Sequence, residues 1–177
     1  MFIPLIRIIL VVVMMGMAPA TAKASGTNPV LTVFFSPQGG CTEAIVAELA
    51  KARSTIYVQA YSFTSDAIAK ALLSAHKRGL RIRVILDKSQ RTEKYSSADF
   101  LAHAGIETLI DDQHAIAHNK VMIIDEQVVI TGSFNFTKAA ENSNAENLLV
   151  IRDPSLAAQY QENWNVHAGQ SQAYAGR

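Results

Sequence analysis

Apolar positions along the chain alternate between two periods. Val30 to Phe35 is an apolar run of strand length, closed by turn residues Ser36 to Gly40. Ile45, Val46 and Leu49 then recur at helical spacing within Thr42 to Ala52, and Thr55 to Tyr61 reads as a second strand. Ser65 is placed to cap a helix that runs to Arg78, with Gly79 just past its end. From Leu80 to Leu86 the period is two: Arg81 and Arg83 fall on one face, Ile82, Val84 and Leu86 on the other. Lys88 to Lys94 is a polar loop, Ser97 to Ala104 a helix ended by Gly105, and Ile106 to Ile110 a short strand. Two apolar strands, Lys120 to Ile124 and Val128 to Thr131, flank a polar turn at Asp125, Glu126 and Gln127. Asn147 to Ile151 is a further strand, and Pro154 opens a last helix reaching about His167. Strands alternating with helices predict an α/β fold, a sheet covered by helices, in one domain whose core runs from about residue 28 to 168.

The first 17 residues do not belong to that pattern. Arg7 precedes an unbroken apolar run from Ile8 to Met17, and small residues follow at Ala18, Ala20, Ala22 and Ala24. This is the layout of a secretory signal peptide, and the run is shorter than the ~20 apolar residues that a membrane span needs. Cleavage is expected between residues 20 and 24, which assigns 1–22 to the signal and 23–177 to the domain. A periplasmic or secreted address and no stable membrane anchor follow from it. Cleavage after Ala24 removes Arg7 and Lys23 from the 16 basic residues, leaving 14 against 15 acidic. With no strong overall field, a polyanion partner has to be sought in how charge is distributed. The single cysteine, Cys41, excludes a disulfide framework and a cysteine-rich zinc module, and reads as a small buried hydrophobe near a helix start.

Chemistry-bearing residues concentrate on the hairpin. His118 and Lys120 are two apart and share a face, as do Ser133 and Asn135. A turn centred on Glu126 sets residue 118 opposite 133 or 134, so the two polar pairs meet at one edge of the sheet. Gly132 leaves room there for a ligand or another backbone. An imidazole, an ammonium, a hydroxyl and an amide together suit a phosphate: Lys120 supplies charge, Ser133 and Asn135 supply hydrogen bonds, and the imidazole serves as nucleophile or general acid/base.

The spacing H-x-K-x4-D-x6-G-S-x-N over His118 to Asn135 resembles the signature of the phospholipase D superfamily, most closely its small, secreted, single-motif bacterial endonucleases of the Nuc type. The resemblance extends to Glu146 and implies the family's α/β/α sandwich, a mixed sheet with helices on both faces. It also implies a phosphodiesterase that acts without metal or other cofactor through a covalent phosphohistidine. In that scheme His118 matches the nucleophile, Lys120 and Asn135 the phosphate-holding residues, Ser133 a donor in the same pocket, and Glu146 a carboxylate that orients an imidazole. Asp125 matches a supporting residue, with an ordinary turn-forming role equally weighted. Family members generally carry two motif copies. This chain has one, so the second imidazole is expected from another subunit of a homodimer.

His114 and His118 are four apart, but on a strand that spacing covers ~13 Å and no third ligand is evident, so no metal site is expected. Lys70, Lys77, Arg78, Arg81, Arg83, Lys88, Arg91 and Lys94 outnumber Asp87 and Glu93 over residues 70–94, a cluster that suits a nucleic-acid backbone. Leu156, Tyr160 and Trp164 share a helical face and read as core. The favoured partner is DNA, with RNA left open, cut with little sequence preference, because no base-reading module is present. The alternatives are a lipid phosphodiesterase, for which no apolar entry surface is evident beyond the signal, and a non-catalytic nucleic-acid-binding module.

Overall fold

A computed structural model describes residues 28–177, and the leader expected before them lies outside the described residues. The chain runs β1 (Val30–Ser36), α1 (Cys41–Lys51), β2 (Thr55–Ala60), α2 (Asp66–Lys77), β3 (Arg81–Asp87), a 3₁₀ turn (Lys88–Arg91), α3 (Ala98–His103) and β4 (Glu107–Asp111). It continues through β5 (Lys120–Ile124), β6 (Val128–Gly132), α4 (Lys138–Asn142), β7 (Glu146–Arg152), α5 (Pro154–Gln170) and β8 (Gln172–Tyr174). All eight strands form one mixed sheet in the order β1-β7-β6-β5-β2-β3-β4-β8. β2, β3 and β4 are parallel, and every other pairing is antiparallel. The expected α/β fold, with helices on both faces, is what the chain adopts.

The two faces are covered unequally. On one, Ile45, Leu49, Ile68 and Leu72 of α1 and α2 pack on Ile56, Val58, Val84, Met122 and Ile130, with Phe63, Phe134 and Phe136 closing the end. On the other, α5 alone lays Ala157 and Trp164 over Tyr57, Ile85, Val121, Ile123 and Val129. Trp164 is fully buried, meets Tyr57 edge-on, and donates its indole N–H to the Val58 carbonyl at 2.9 Å. Asp153 caps α5 through the Ser155 and Leu156 N–H groups, with Pro154 in the first turn. Ser65 caps α2 as expected, and Cys41 opens α1 fully buried.

α5 does not reach the β1 end of the sheet. Leu31, Val33 and Phe35, which alternate onto the α5 side of β1, are 57%, 49% and 62% exposed. The described residues therefore do carry an exposed apolar strip, contrary to expectation, because strand period two fills the outer face of an edge strand that no helix covers. Three elements escaped the sequence reading: the 3₁₀ turn within the expected polar loop, the five-residue α4, and β8, which pairs antiparallel to β4. Among the described residues, no helix is long and apolar enough to cross a membrane.

Candidate active site

The site is assembled at the edge where the parallel strands end. β5 pairs with β2 through Ala60↔Lys120, and the Tyr61 N–H donates to the Asn119 carbonyl at 2.9 Å. β5 and β6 pair Met122↔Ile130 and Ile124↔Val128, and this register continued outward sets Lys120 opposite Gly132 and His118 opposite Phe134. The ladder itself stops at Met122↔Ile130, and its register is the one expected. Gly132 has φ +147°, and a Cβ there would stand 2.3 Å from the Asn147 carbonyl oxygen. Close approach by another backbone, rather than by a ligand, is what requires glycine.

His118 is exposed, its ring tilted on Tyr61 with centroids 4.6 Å apart. Lys120 is buried; its Nζ donates to the His118 carbonyl at 2.7 Å and lies 5.2 Å from the centre of the Tyr61 ring. Burial lowers the Lys120 pKa from its ordinary value, and the nearby Glu146 carboxylate works against that shift. Ser133 Oγ accepts from both the backbone N–H (3.1 Å) and the side-chain amide (3.3 Å) of Asn147, which leaves its hydroxyl hydrogen free to donate. Asn135 is held between fully buried Phe134 and Phe136, and its buried Oδ1 has no partner among the described residues. Glu146, at the start of β7, is oriented by the Asn144 amide at 3.2 Å. A small cleft of about 210 Å³ joins His118, Lys120 and Gly132 to Gln59, Thr131, Tyr160 and Asn163. Ser133, Asn135 and Glu146 flank it without lining it.

Two residues of this edge were not foreseen. Gln59 is 2% exposed on the central strand, and its Nε2 is buried without a partner at the cleft wall. Tyr61 supports both His118 and Lys120. A polar residue inside an apolar strand was the available signal for Gln59.

Asp125 belongs elsewhere. It sits at the far end of β5, roughly 17 Å along the strand from Lys120. Its carboxylate accepts from the N–H groups of Arg53, Ser54 and Thr55 and from the Ser54 hydroxyl, at 2.8–3.0 Å. Of its two weighted roles, the turn role is the one the geometry has. A larger cleft of about 430 Å³ lies there, lined by Glu48, Arg53, Ser54, Asp125 and Arg152, and holds no imidazole.

The basic cluster does not converge either. Arg78 donates to the Leu49 and Ala52 carbonyls at the C-terminal end of α1, and Arg81 opens β3 at the edge opposite the site. Arg83 pairs with Glu107 and stacks over Trp164, and Lys94 lies over Tyr95. Lys88 and Arg91, past the end of β3, remain on the site's edge; Lys88 donates to the His114 carbonyl and Arg91 to Gln172. His114 is in the irregular 112–119 loop rather than on a strand, and its ring faces Asp111 and His167, not His118. The strand-based objection to a metal ligand at His114 thus falls.

Residues 45–167 match the family model described as "Cardiolipin synthase, PLD-like domain". The chain belongs to the phospholipase D superfamily. It is 48% identical over 130 residues to a phospholipase D of Rickettsia typhi, covering 73% of this chain and 64% of that one. It is 31% identical to a mitochondrial cardiolipin hydrolase of Chlamydomonas reinhardtii, covering 84% of this chain and 77% of that one. Among solved structures, Nuc from Salmonella typhimurium, a phospholipase D family member, superposes with a TM-score of 0.80 at 38% identity, over 83% of this chain and 99% of that one. The chain thus spans just under two thirds of the Rickettsia relative and nearly all of Nuc.

Proposed function

We propose that this phospholipase D-superfamily protein is an exported endonuclease that hydrolyses phosphodiester bonds of DNA, and of RNA as a further substrate, with little sequence preference and no metal in the chemical step. The observation that carries the reading is the sheet edge itself: exposed His118 beside buried Lys120, with the Ser133 hydroxyl held free to donate. A His118 ring nitrogen attacks phosphorus, the P–O bond to the leaving group breaks, and a second imidazole gives its proton to the departing oxygen. Water, deprotonated by that same imidazole, then cleaves the phosphohistidine and restores both groups. Lys120 meets the charge that grows on the non-bridging oxygens, a task that falls to metal ions in other nucleases.

One chain brings one motif imidazole, so the second is assigned to His118 of an identical subunit across a two-fold axis. The uncovered strip of Leu31, Val33 and Phe35 supplies apolar surface on which a homodimer can form, and Phe35 lies at the site end of β1. Lys88 and Arg91 support a polyanion on this edge. Export rests on the leader-like N-terminal sequence.

A lipid phosphodiesterase is the second reading. Exposed Ile116, two residues before His118, and the same apolar strip favour it, as do the names of the curated relatives. Nicking of supercoiled plasmid, run beside hydrolysis of cardiolipin and phosphatidylcholine vesicles in excess EDTA, tests both. Plasmid cutting that survives EDTA supports the nuclease. Vesicle turnover with intact plasmid replaces it with the lipid enzyme. Mixing wild-type with His118→Ala subunits tests sharing: activity falls with the square of the wild-type fraction for a joint site, and linearly for independent chains.

A further inference from the structure

A second cluster of chemistry-bearing side chains stands apart from the phosphate cleft. Asp111 ends β4 with its side chain fully buried. Two imidazoles turn the same ring nitrogen toward it. His114 Nδ1 lies 3.0 and 2.9 Å from the two carboxylate oxygens, and His167 Nδ1 lies 3.3 Å from Oδ2. The three residues come from a strand end, the 112–119 loop and the last turn of α5. One ligand atom from each lies within 4.8 Å of the other two.

A tetrahedral zinc ion, with bonds of ~2.0–2.2 Å, spaces its ligands roughly 3.3–3.6 Å apart. Two of the three separations measure 2.9 and 3.3 Å, one at that spacing and one a few tenths of an ångström short of it. The third closes by turning the His114 ring, whose side chain is 43% exposed. Two imidazoles and a carboxylate form a donor set that zinc accepts, and the exposed side of His114 gives an ion a way in. The carboxylate is also oriented: the N–H groups of Gln113 and His114 donate to Oδ1 at 3.2 and 3.3 Å, which leaves Oδ2 to face the rings. The neighbouring cations are committed to other oxygens, Lys88 to the His114 carbonyl and Arg91 to Asp112 and Gln172.

We propose that Asp111, His114 and His167 form a zinc-binding site, completed by water in the fourth position. The ion pins the 112–119 loop, which leads into His118, to both β4 and α5. Its effect falls on the stability of that loop, and the chemistry at phosphorus proceeds without it.

The test is titration of chelator-stripped, tag-free protein with zinc chloride, followed by calorimetry and thermal unfolding, with Co²⁺ absorption as a report on coordination. One ion per chain is expected, with a rise in Tm of roughly 5–10 °C at a hundredfold excess over Kd. His114→Gln and His167→Gln each keep a donor toward Asp111 but remove the imidazole, so both should fold and both should lose the stoichiometric binding and the shift. His118→Ala should retain them, which separates this site from the phosphate cleft and from the proposed nuclease activity. Absence of saturable zinc binding, binding kept by both Gln variants, or binding lost in His118→Ala overturns the proposal.

Discussion

The β5–β6 hairpin has two ends built from similar residues for opposite ends of the same purpose. At the turn, Asp125 and Glu126 adopt φ of +53° and +58°, and the Asp125 carboxylate is filled by four donors from residues 53–55. At the open end, Lys120 is buried with one carbonyl partner, and Gln59 Nε2 and Asn135 Oδ1 have none among the described residues. Polar groups that are saturated hold a fold together. Polar groups buried short of partners cost stability and are available to a ligand. On the proposed function, the hairpin separates stability from activity by about the length of one strand.

Substitutions at the two ends should break in different assays. His118→Ala carries the largest expected effect: loss of more than about 10³-fold in turnover with Tm unchanged, since the ring is exposed. Lys120→Met should follow at roughly 10²–10³-fold, the scale of one charge-assisted contact to a transition state, and a CD melt should show an intact fold. Asp125→Ala should do the reverse, lowering stability by about 2–4 kcal/mol through lost charge-assisted bonds and a left-handed backbone, while kcat stays near wild-type. Comparable losses of activity in Asp125→Ala and Lys120→Met would erase the distinction between the ends.

The turn end also carries a pH signature. Burial pushes the Asp125 pKa up, but the N–H groups of Thr55, Ser54 and Arg53 outweigh it and hold the carboxyl below the ordinary range. A depressed folded-state pKa contributes stability above the unfolded value of ~3.9, and that contribution disappears as pH falls through the folded one. Wild-type should therefore lose more stability than Asp125→Ala on acidification below about pH 4, measured by urea unfolding. The smallest effect sharpens the comparison from the other side. Gln59→Met removes a buried unpaired donor and should raise stability by about 1 kcal/mol while weakening turnover a few-fold.

The hairpin was legible in the sequence because strand period, turn position and motif spacing all constrain the same residues. His118, Lys120, Ser133 and Asn135 fall on one edge by strand period and turn position alone. The basic cluster was misjudged for a directional reason: Arg81 and Lys88 lie at opposite ends of one strand, so nearness in sequence becomes separation across the sheet. Asp111 and His167, which are 56 residues apart, meet only because β4 and α5 pack together, and no local pattern reports that. β8 was missed because its three residues, Gln172 to Tyr174, become a strand only through the free edge of β4.

The placement of β1 has a consequence for the order of folding. This strand is synthesised first among the described elements, yet its only partner in the sheet is β7, with Val30 matched to Arg152 and Ser36 to Glu146. More than a hundred residues separate the two, so the loop that joins them closes at an entropic cost no local contact offsets early. Nor can β7 receive it before β7 has itself docked on β6. The first described strand thus waits for the seventh, and until most of the chain has emerged the protein has an unfastened edge and no complete sheet.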